Sequence, residues 1–469
     1  MNKINIENLK NKHIHFIGIG GISMSGLAQI LINCGCTVSG SDVKASNLTQ
    51  KLNNLGAFVY IGHSPNNVKG ADLVVYTAAI HNDNPELQEA IKLGIPIIDR
   101  ATFLGKIMKN YSKGIAVAGT HGKTTTTSII ATILQYANLD PTVLVGGELD
   151  AIGGNVRVGQ SEYFVTEACE YVGSFLKFYP YIAVVLNIDR DHLDYFKNLD
   201  EIYEAFFSFA KLTPSDGYVV GCADDPLVEK LLSKMPSKAI SYGIDKKAQW
   251  MASDITFDKN GCSSFNVLCN NKDIGRFSLH VPGRHNVYNA LAAIAVASLC
   301  NIDMETAREG LLLYKGAHRR FEIKGQLAHN ITIIDDYAHH PTEIKATINA
   351  ALNYPHNKIW CIFQPHTYTR TKMLINEFAS AFKGVDHLII SDIYAAREAD
   401  DGSVNAADLV ARINQNGQRA IYISDFSQIE HYISENCQPG DIIITMGAGD
   451  IYKVGEDLLK QVAEIGRAV

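Results

Sequence analysis

Gly119-Thr120-His121-Gly122-Lys123-Thr124-Thr125-Thr126 concentrates more chemistry in eight residues than any other part of the sequence. It follows the buried run 115–118 and leads into a helical run at 128–136. A glycine-rich turn between strand and helix exposes backbone N–H groups that cradle phosphates, a Lys carries positive charge to the β and γ groups, and a Thr hydroxyl reaches Mg2+. The spacing departs from GxxxxGK[ST], whose first position falls on Val117, with Gly119 three residues before Gly122. Gly119, Thr120, His121, Gly122, Lys123, Thr124 and Thr125 are the candidate phosphate contacts, and Thr124 a candidate metal ligand. A glycine-rich turn with an incidental Lys is the alternative.

Further ligands for a cation follow other strand-like runs. Glu167 and Glu170 come after 163–166, and Asp189, Asp191 and His192 after 183–186. Mg2+ prefers oxygen, which favours Glu170 and makes His192 an unusual ligand. Near the start, Gly18-Ile19-Gly20-Gly21-Ile22-Ser23 follows another strand, with Asp42 at the end of the next. Such glycines let the backbone approach a pyrophosphate while the acid reaches a ribose hydroxyl. A tight turn without a ligand is one alternative and a nicotinamide cofactor another, but an oxidoreductase leaves Lys123 and Thr124 without a purpose. Asn286 and Asn289, at i,i+3, could read a purine edge, or Asn286 could simply cap a helix. Arg319-Arg320 sits where a cation could reach a transferred phosphoryl group, a solvated charge pair being the plainer reading. Asp335-Asp336-Tyr337-Ala338-His339-His340-Pro341, joined by His366 and Arg370, gathers carboxylates and imidazoles that are costly to place without partners. Zinc would suit two His and an Asp, although adjacent His339 and His340 rarely converge on one ion.

The elements that must position these groups alternate between short β-branched runs and segments of helical period, with glycines at the strand ends. That pattern predicts an α/β chain with parallel sheets covered by helices on both faces. At roughly 150 residues per domain, 469 residues suggest about three domains. Polar seams at 109–113 and 315–317 place them at 1–111, 112–317 and 318–469. Within the second, 250–257 and 262–268 read as strands around the turn 258–261, an antiparallel excursion. Hydrophobic residues at 46%, charged residues at 19% and a net charge of −7 without a basic cluster argue against disorder, nucleic-acid binding and attraction to an anionic membrane. The longest uncharged apolar stretch, about 290–300, is too short to span a bilayer. Residues 1–12 form a polar lead unlike a secretion signal, and nine scattered cysteines read as buried thiols of a reducing compartment, so the expected location is the cytoplasm.

GTHGKTTTT at 119–127, NIDRDHLDYF at 187–196, PGRHNVYNALAAIAVA at 282–297, DDYAHHPTEI at 335–344, FQPHTYTRT at 363–371 and MGAGDI at 446–451 resemble, in order, the Mur ligases of peptidoglycan synthesis. GIGGIS, DDYAHHPTE and FQPH resemble the branch that adds the first amino acid. The resemblance covers essentially the whole chain. It implies a Rossmann-like N-terminal domain for a UDP sugar, a P-loop-type ATPase centre and a Rossmann-like C-terminal domain. The implied reaction joins L-alanine to the lactyl carboxylate of UDP-N-acetylmuramate with ATP and Mg2+, through an acyl phosphate that the C-terminal domain shields from water. A recycling ligase that attaches a preformed peptide is the alternative within the family.

Carried onto this sequence, the resemblance puts Lys123 at the γ-phosphate, Thr124, Glu170 and His192 at the metal, and Asn286 and Asn289 at the nucleotide. It puts Arg320 and Asp336 where ATP meets the C-terminal domain. Gly20, Gly21, Ser23, Asp42, His63, Thr77, Ala78, Ala79 and Ile80 would line the UDP pocket, and His339, His340, His366 and Arg370 would contact substrate. Lys123, Glu170, His192, Arg320 and Asp336 form the implied catalytic set, in a monomer or homodimer. The sequence departs from the family pattern at Cys169-Glu170-Tyr171-Val172, which loses two Asp. It also departs at Thr367, where Arg is usual, and at Ala395-Ala396-Arg397-Glu398, which replaces an AAGE-like segment.

Overall fold

The computed structural model describes residues 6–236 and 238–465. The polar lead is therefore described only from Ile6, and the outermost ends of the expected first and third domains lie outside the described residues. The architecture is three-domain α/β with largely parallel sheets. The chain divides into two compact units, one of Met1–Ile188, Ile202–Trp250 and Ala292–Gly310, the other of Asp189–Glu201, Met251–Leu291 and Leu311–Val469.

In the first unit, β1 (His13–Ile17), β2 (Thr37–Asp42), β3 (Phe58–Ile61), β4 (Leu73–Tyr76) and β5 (Ile97–Asp99) form a parallel sheet in the order β3-β2-β1-β4-β5. The order turns back on either side of β1, and ligands of open α/β sheets bind at that switch, beyond the strand C-termini. The glycine loop 18–21 stands there. The same unit holds β6 (Lys113–Ala118), β7 (Thr142–Leu149), β8 (Gly154–Arg157), β9 (Tyr163–Glu167), β10 (Ile182–Val185), β11 (Tyr218–Cys222) and β12 (Ala239–Gly243), side by side as β12-β11-β10-β6-β9-β7-β8. β6 is central, parallel to both β9 and β10, and Ile115 to Ala118 are fully buried.

The helix after β6 runs Lys123–Tyr136, five residues longer at its start than its apolar period predicts. Thr124 to Thr127 are poor helix formers on propensity, and all four are buried. Packing, rather than intrinsic preference, holds that first turn.

The second unit contains β13 (Trp250–Phe257) from Met251 onward, β14 (Cys262–Cys269) and β15 (Lys272–Pro282). The expected hairpin is present, with β15 added antiparallel to β14, and Gly261 at φ 73° makes the turn. The next helix, Arg284–Leu299, begins six residues earlier than expected, so Asn286 lies inside it and does not cap it. The last sheet has β16 (Glu322–Leu327), β17 (Ile331–Asp336), β18 (Ile359–Phe363), β19 (His387–Ile390), β20 (Ala420–Tyr422) and β21 (Ile442–Met446), ordered β16-β17-β21-β18-β19-β20 with β16 an antiparallel edge. Alternate residues feed two cores: Ile334, Cys361 and Ile444 enter one, Ile333, Ile362 and Ile443 the other. Both faces are covered, as a parallel sheet requires. All nine cysteines are free; four are buried and five half-buried, so the expectation of uniformly buried thiols is corrected. Among the described residues no helix is long and apolar enough to cross a membrane.

Candidate active site

The loop between β6 and its helix has the conformation its glycines permit. Gly119 sits at φ 152°, where a Cβ would stand 2.8 Å from that of Leu186, and Gly122 is left-handed at φ 83° just before the helix. Asn187, past the end of β10, clamps the loop by accepting from the His121 N–H at 2.8 Å and donating to its carbonyl at 3.0 Å. Lys123 Nζ turns back over this loop, donating to the carbonyls of Gly119 and, at 3.0 Å, Thr120, and to Glu170 at 3.0 Å. Burial opposes the lysine's charge, but Glu170 outweighs it and holds the pKa above the ordinary value. Glu170 is only 2% exposed, and Thr124 is also buried. The result is a cation and hard oxygen donors at an amide-lined turn, a set that fits a nucleotide's phosphates together with Mg2+.

At the N-terminal sheet, Gly18 and Ile19 donate to Ser41 O, and Gly20 donates to Asp42 Oδ2 at 2.9 Å. Asp42 thus spends one oxygen bracing the glycine loop. Thr77 follows β4, with Ala78 and Ala79 exposed and Ile80 half-buried beside it. Gly21 leads into the helix that starts at Ile22, and Ser23, in its first turn, accepts from Arg100 Nη1 at 3.1 Å. Ser23 and Arg100 line a cavity of about 160 Å³ with Gly146, Glu167, Cys169 and Ser174. The first glycine motif and the acidic segment after β9 therefore share one cavity.

His63 belongs to a buried network. Glu86, fully buried, accepts from Ser41 Oγ, from His63 Nδ1 at 3.2 Å, from Ser64 N at 3.2 Å and from Asn67 Nδ2 at 2.6 Å, while His15 Nε2 stands 3.6 Å away. Burial works to raise the Glu86 pKa, but the surrounding donors His15, Ser41 and Asn67 outweigh it and bring it down to about 2. A depressed folded pKa gives stabilisation that is present above the unfolded value of about 4.3 and lost as pH falls through the folded one. Glu86→Gln is expected to destabilise the protein by about 3 kcal/mol at pH 7 through lost charge-assisted hydrogen bonds. The deficit should shrink between about pH 4 and pH 2, and denaturant unfolding at several pH values reads it. A pH-independent deficit would contradict a buried carboxylate.

In the second unit the strand ends carry the other candidates. Asp336, at the end of β17, accepts from Phe321 N at 2.9 Å and Ala338 N at 2.7 Å, and burial pushes it up to about 6 against the pull of Arg320. Arg320 lies 5.1 Å over the Tyr337 ring. Arg319 is spent on the fold: it donates to Asp335 at 3.0 Å and to the carbonyls of Gly447 and Gly449, between the rings of Tyr337 and Tyr452. Asn289 Nδ2 donates to Asn286 Oδ1 at 2.9 Å, and Asn286 Nδ2 to Pro282 O at 2.7 Å, so the amide pair is coupled and buried.

A cavity of about 120 Å³ opens beside β17 and β18, lined among others by Asp191, His192, Tyr337, His339, His366 and Arg370. Arg370 Nε and Nη2 both donate to Asp191 Oδ1, at 3.1 and 2.9 Å, and Nη1 donates to His366 Nδ1 at 3.0 Å. The His339 Nδ1–H donates to Tyr337 O at 2.9 Å. Burial brings His339 down to about 4 and His366 to about 3, leaving both uncharged at neutral pH. His192 is held at φ 51°, with its amide on Asp191 and its carbonyl capping Tyr195 and Phe196. His340 caps the helix Pro341–Leu352 through Nδ1 and donates from Nε2 to Arg190 O at 3.0 Å. Both its ring nitrogens thus have partners within the fold.

Of the expected residues, the first unit brings together Gly119 to Thr125 with Glu170, and Ser23 with the segment after β9. The second brings together His192, His339, His366 and Arg370. Sequence reasoning missed Arg100, Glu86 and the Asp191–Arg370 pair. Arg100 and Asp191 do follow strands, which is the one signal they offered.

Comparison with known proteins agrees with this geometry. A family model described as "Mur ligase family, catalytic domain" matches residues 13–112, "Mur ligase middle domain" matches 117–297, and "Mur ligase, glutamate ligase domain" matches 319–449. A UDP-N-acetylmuramate–L-alanine ligase of Caldanaerobacter subterraneus subsp. tengcongensis is 59% identical over 452 residues, 96% of this chain and 98% of that protein. Among solved structures, UDP-N-acetylmuramate-alanine ligase MurC from Thermotoga maritima superposes with a TM-score of 0.83 at 31% identity, covering 96% and 99% of the two chains. A murein peptide ligase from Psychrobacter arcticus gives 0.72 at 27%, covering 96% and 98%. Matched over nearly its whole length by these relatives and family models, the chain belongs to the Mur ligase family.

Proposed function

We propose that this chain is an ATP-dependent ligase that joins L-alanine to the lactyl carboxylate of UDP-N-acetylmuramate. Members of the family use ATP and Mg2+. The observation that carries the chemistry is Lys123, held by the Gly119–Gly122 turn within 3.0 Å of Glu170; the name and 59% identity of the Caldanaerobacter relative support the substrates.

A carboxylate is a poor electrophile, so its oxygen attacks the γ-phosphorus and ADP leaves. The amine then attacks the acyl carbon, phosphate departs and the amine gives up a proton. Lys123 and the loop amides stabilise charge on the phosphoryl oxygens, with Arg320 a further cation for that group. Thr124, Glu170 and His192 are the residues assigned to Mg2+, which when bound neutralises phosphate charge. Asn286 and Asn289 are assigned to the nucleotide, and the loop 18–21, Asp42, His63 and 77–80 to the UDP sugar.

The test is ADP release from ATP, Mg2+ and UDP-N-acetylmuramate with and without L-alanine, the product identified by mass. Alanine-dependent release with a product one alanyl residue heavier is expected. Likeness to the Psychrobacter murein peptide ligase favours a second reading, attachment of a preformed peptide. Silence with alanine and turnover with a tripeptide would establish that reading instead.

A further inference from the structure

We infer that Glu86 is a positioning residue of the UDP-sugar pocket: it keeps the proton of His63 on Nδ1, so that Nε2 meets the uridine as a bare acceptor, an assignment that rests on the ligase reading above and deepens it.

Proton bookkeeping around the ring leaves one arrangement. His63 Nδ1 has two neighbours, Ser41 Oγ at 2.9 Å and Glu86 Oε2 at 3.2 Å. Glu86 is a carboxylate at neutral pH and can only accept. The Ser41 hydroxyl spends its one proton on Glu86, so toward the ring it too can only accept. Two acceptors facing one nitrogen require an N–H there, and a ring with a single proton must then leave the other nitrogen bare. That nitrogen is Nε2. His63 is half-buried, and Nε2 is reached by water and has no hydrogen-bond partner among the described residues.

The fold puts this acceptor where ligands of an open α/β sheet bind. β2 and β3 pair with Asp42 opposite Ile61, and His63 follows two residues later, beyond the strand C-termini. Val43 and Ile61 stand exposed at the same strand ends, an apolar surface that the fold leaves uncovered. Uracil has apolar faces and an imide N–H on its edge, and ribose adds hydroxyls. Each of these groups can donate to a bare imidazole nitrogen, whereas an ionised phosphate oxygen cannot. The remaining bonds of Glu86, accepted from Ser64 N and Asn67 Nδ2, fix the turn that carries His63. One carboxylate therefore sets both where the ring stands and which nitrogen bears the proton.

The test begins with the parent protein, which removes any dependence on a variant that folds poorly. Nitrogen NMR of protein with isotopically labelled histidine at about pH 8, with His63 identified by the signals missing from His63→Ala, is expected to show a protonated Nδ1 and a bare Nε2. A proton on Nε2 and none on Nδ1 would overturn the assignment. Calorimetric titration with UDP then reads the coupling. Glu86→Gln is expected to weaken UDP binding about 10-fold, the scale of a donor left facing a donor, and to leave the KM for ATP within about twofold. In a His63→Ala background the same substitution should cost nothing further, because no ring remains to be oriented. Equal losses in both backgrounds would mean that Glu86 acts only by holding the fold, and would overturn the assignment. UDP methylated at N3 and 2′,3′-dideoxy-UDP distinguish the base from the ribose as the donor: with the analogue that lacks the donor, Glu86→Gln should no longer weaken binding, and a full loss with both analogues would overturn the assignment as well. Failure of the parent protein to bind UDP would instead overturn the ligase reading.

Discussion

Replacing Lys123 by Ala is expected to reduce ADP formation by about a thousandfold or more, the scale on which a positioned charge acts at a phosphoryl centre. The expectation comes from placement. Lys123 opens the helix after β6, and its ammonium lies over the carbonyls of Gly119 and Thr120 at the glycine turn. The same substitution strands Glu170, a nearly fully buried carboxylate, without its counter-charge. Breaking a buried pair from one side costs about 3–5 kcal/mol, so lost activity could reflect a lost fold. Lys123→Ala combined with Glu170→Gln separates the two effects, since it removes both charges together. Denaturant unfolding should place the double variant near the parent, while ADP formation stays at the background of the single variant. A folded variant of either kind with near-normal ADP release would remove the loop from the mechanism.

The glycine turn between β6 and its helix was legible because it is contiguous: strand, glycines, Lys and Thr fall within about a dozen residues, and local geometry follows from local order. The α/β alternation was legible for a similar reason, since buried parallel strands such as β6 and β10 are unbroken runs of small and β-branched residues. The start of the helix at Lys123 was not, because four threonines conceal a helical turn that only tertiary packing stabilises. Pairings set by topology left no local trace. Asp191 and Arg370 are 179 positions apart, and Glu86 sits in an ordinary helix start, Asn84-Pro85-Glu86, until the fold sets Ser41 and His63 against it. His340 shows what residue type alone leaves out: its nitrogens cap a helix and tie down a carbonyl, partners that only the fold supplies.

Arg370→Ala is expected to destabilise the second unit by about 3–5 kcal/mol, because it leaves Asp191 charged, buried and unpaired. Arg370 and Asp191 each have side chains only 10% exposed, and both guanidinium bonds fall on a single carboxylate oxygen. Burial alone would raise the Asp191 pKa; Arg370, followed by His192, His339 and His340, outweighs it and holds the group far below the usual carboxylate range. In the parent protein that depressed pKa stabilises the fold at every pH above the unfolded value of about 3.9, and the contribution is lost only as pH falls below it. Without Arg370 the sign reverses. Burial then dominates, the folded pKa rises above the unfolded one, and the folded variant binds the proton more tightly than the unfolded chain does. Its stability should therefore increase as the solution is acidified from pH 8 toward pH 5, whereas the parent gains nothing from this group over that range. Thermal unfolding should show a Tm about 10 °C below the parent at pH 8, with the gap narrowing toward pH 5. Asp191→Asn in the Arg370→Ala background should abolish that narrowing, because it removes the titrating group. A deficit that is the same at every pH, or that widens in acid, would mean that Asp191 is not the uncompensated charge and that Arg370 stabilises the cavity by packing.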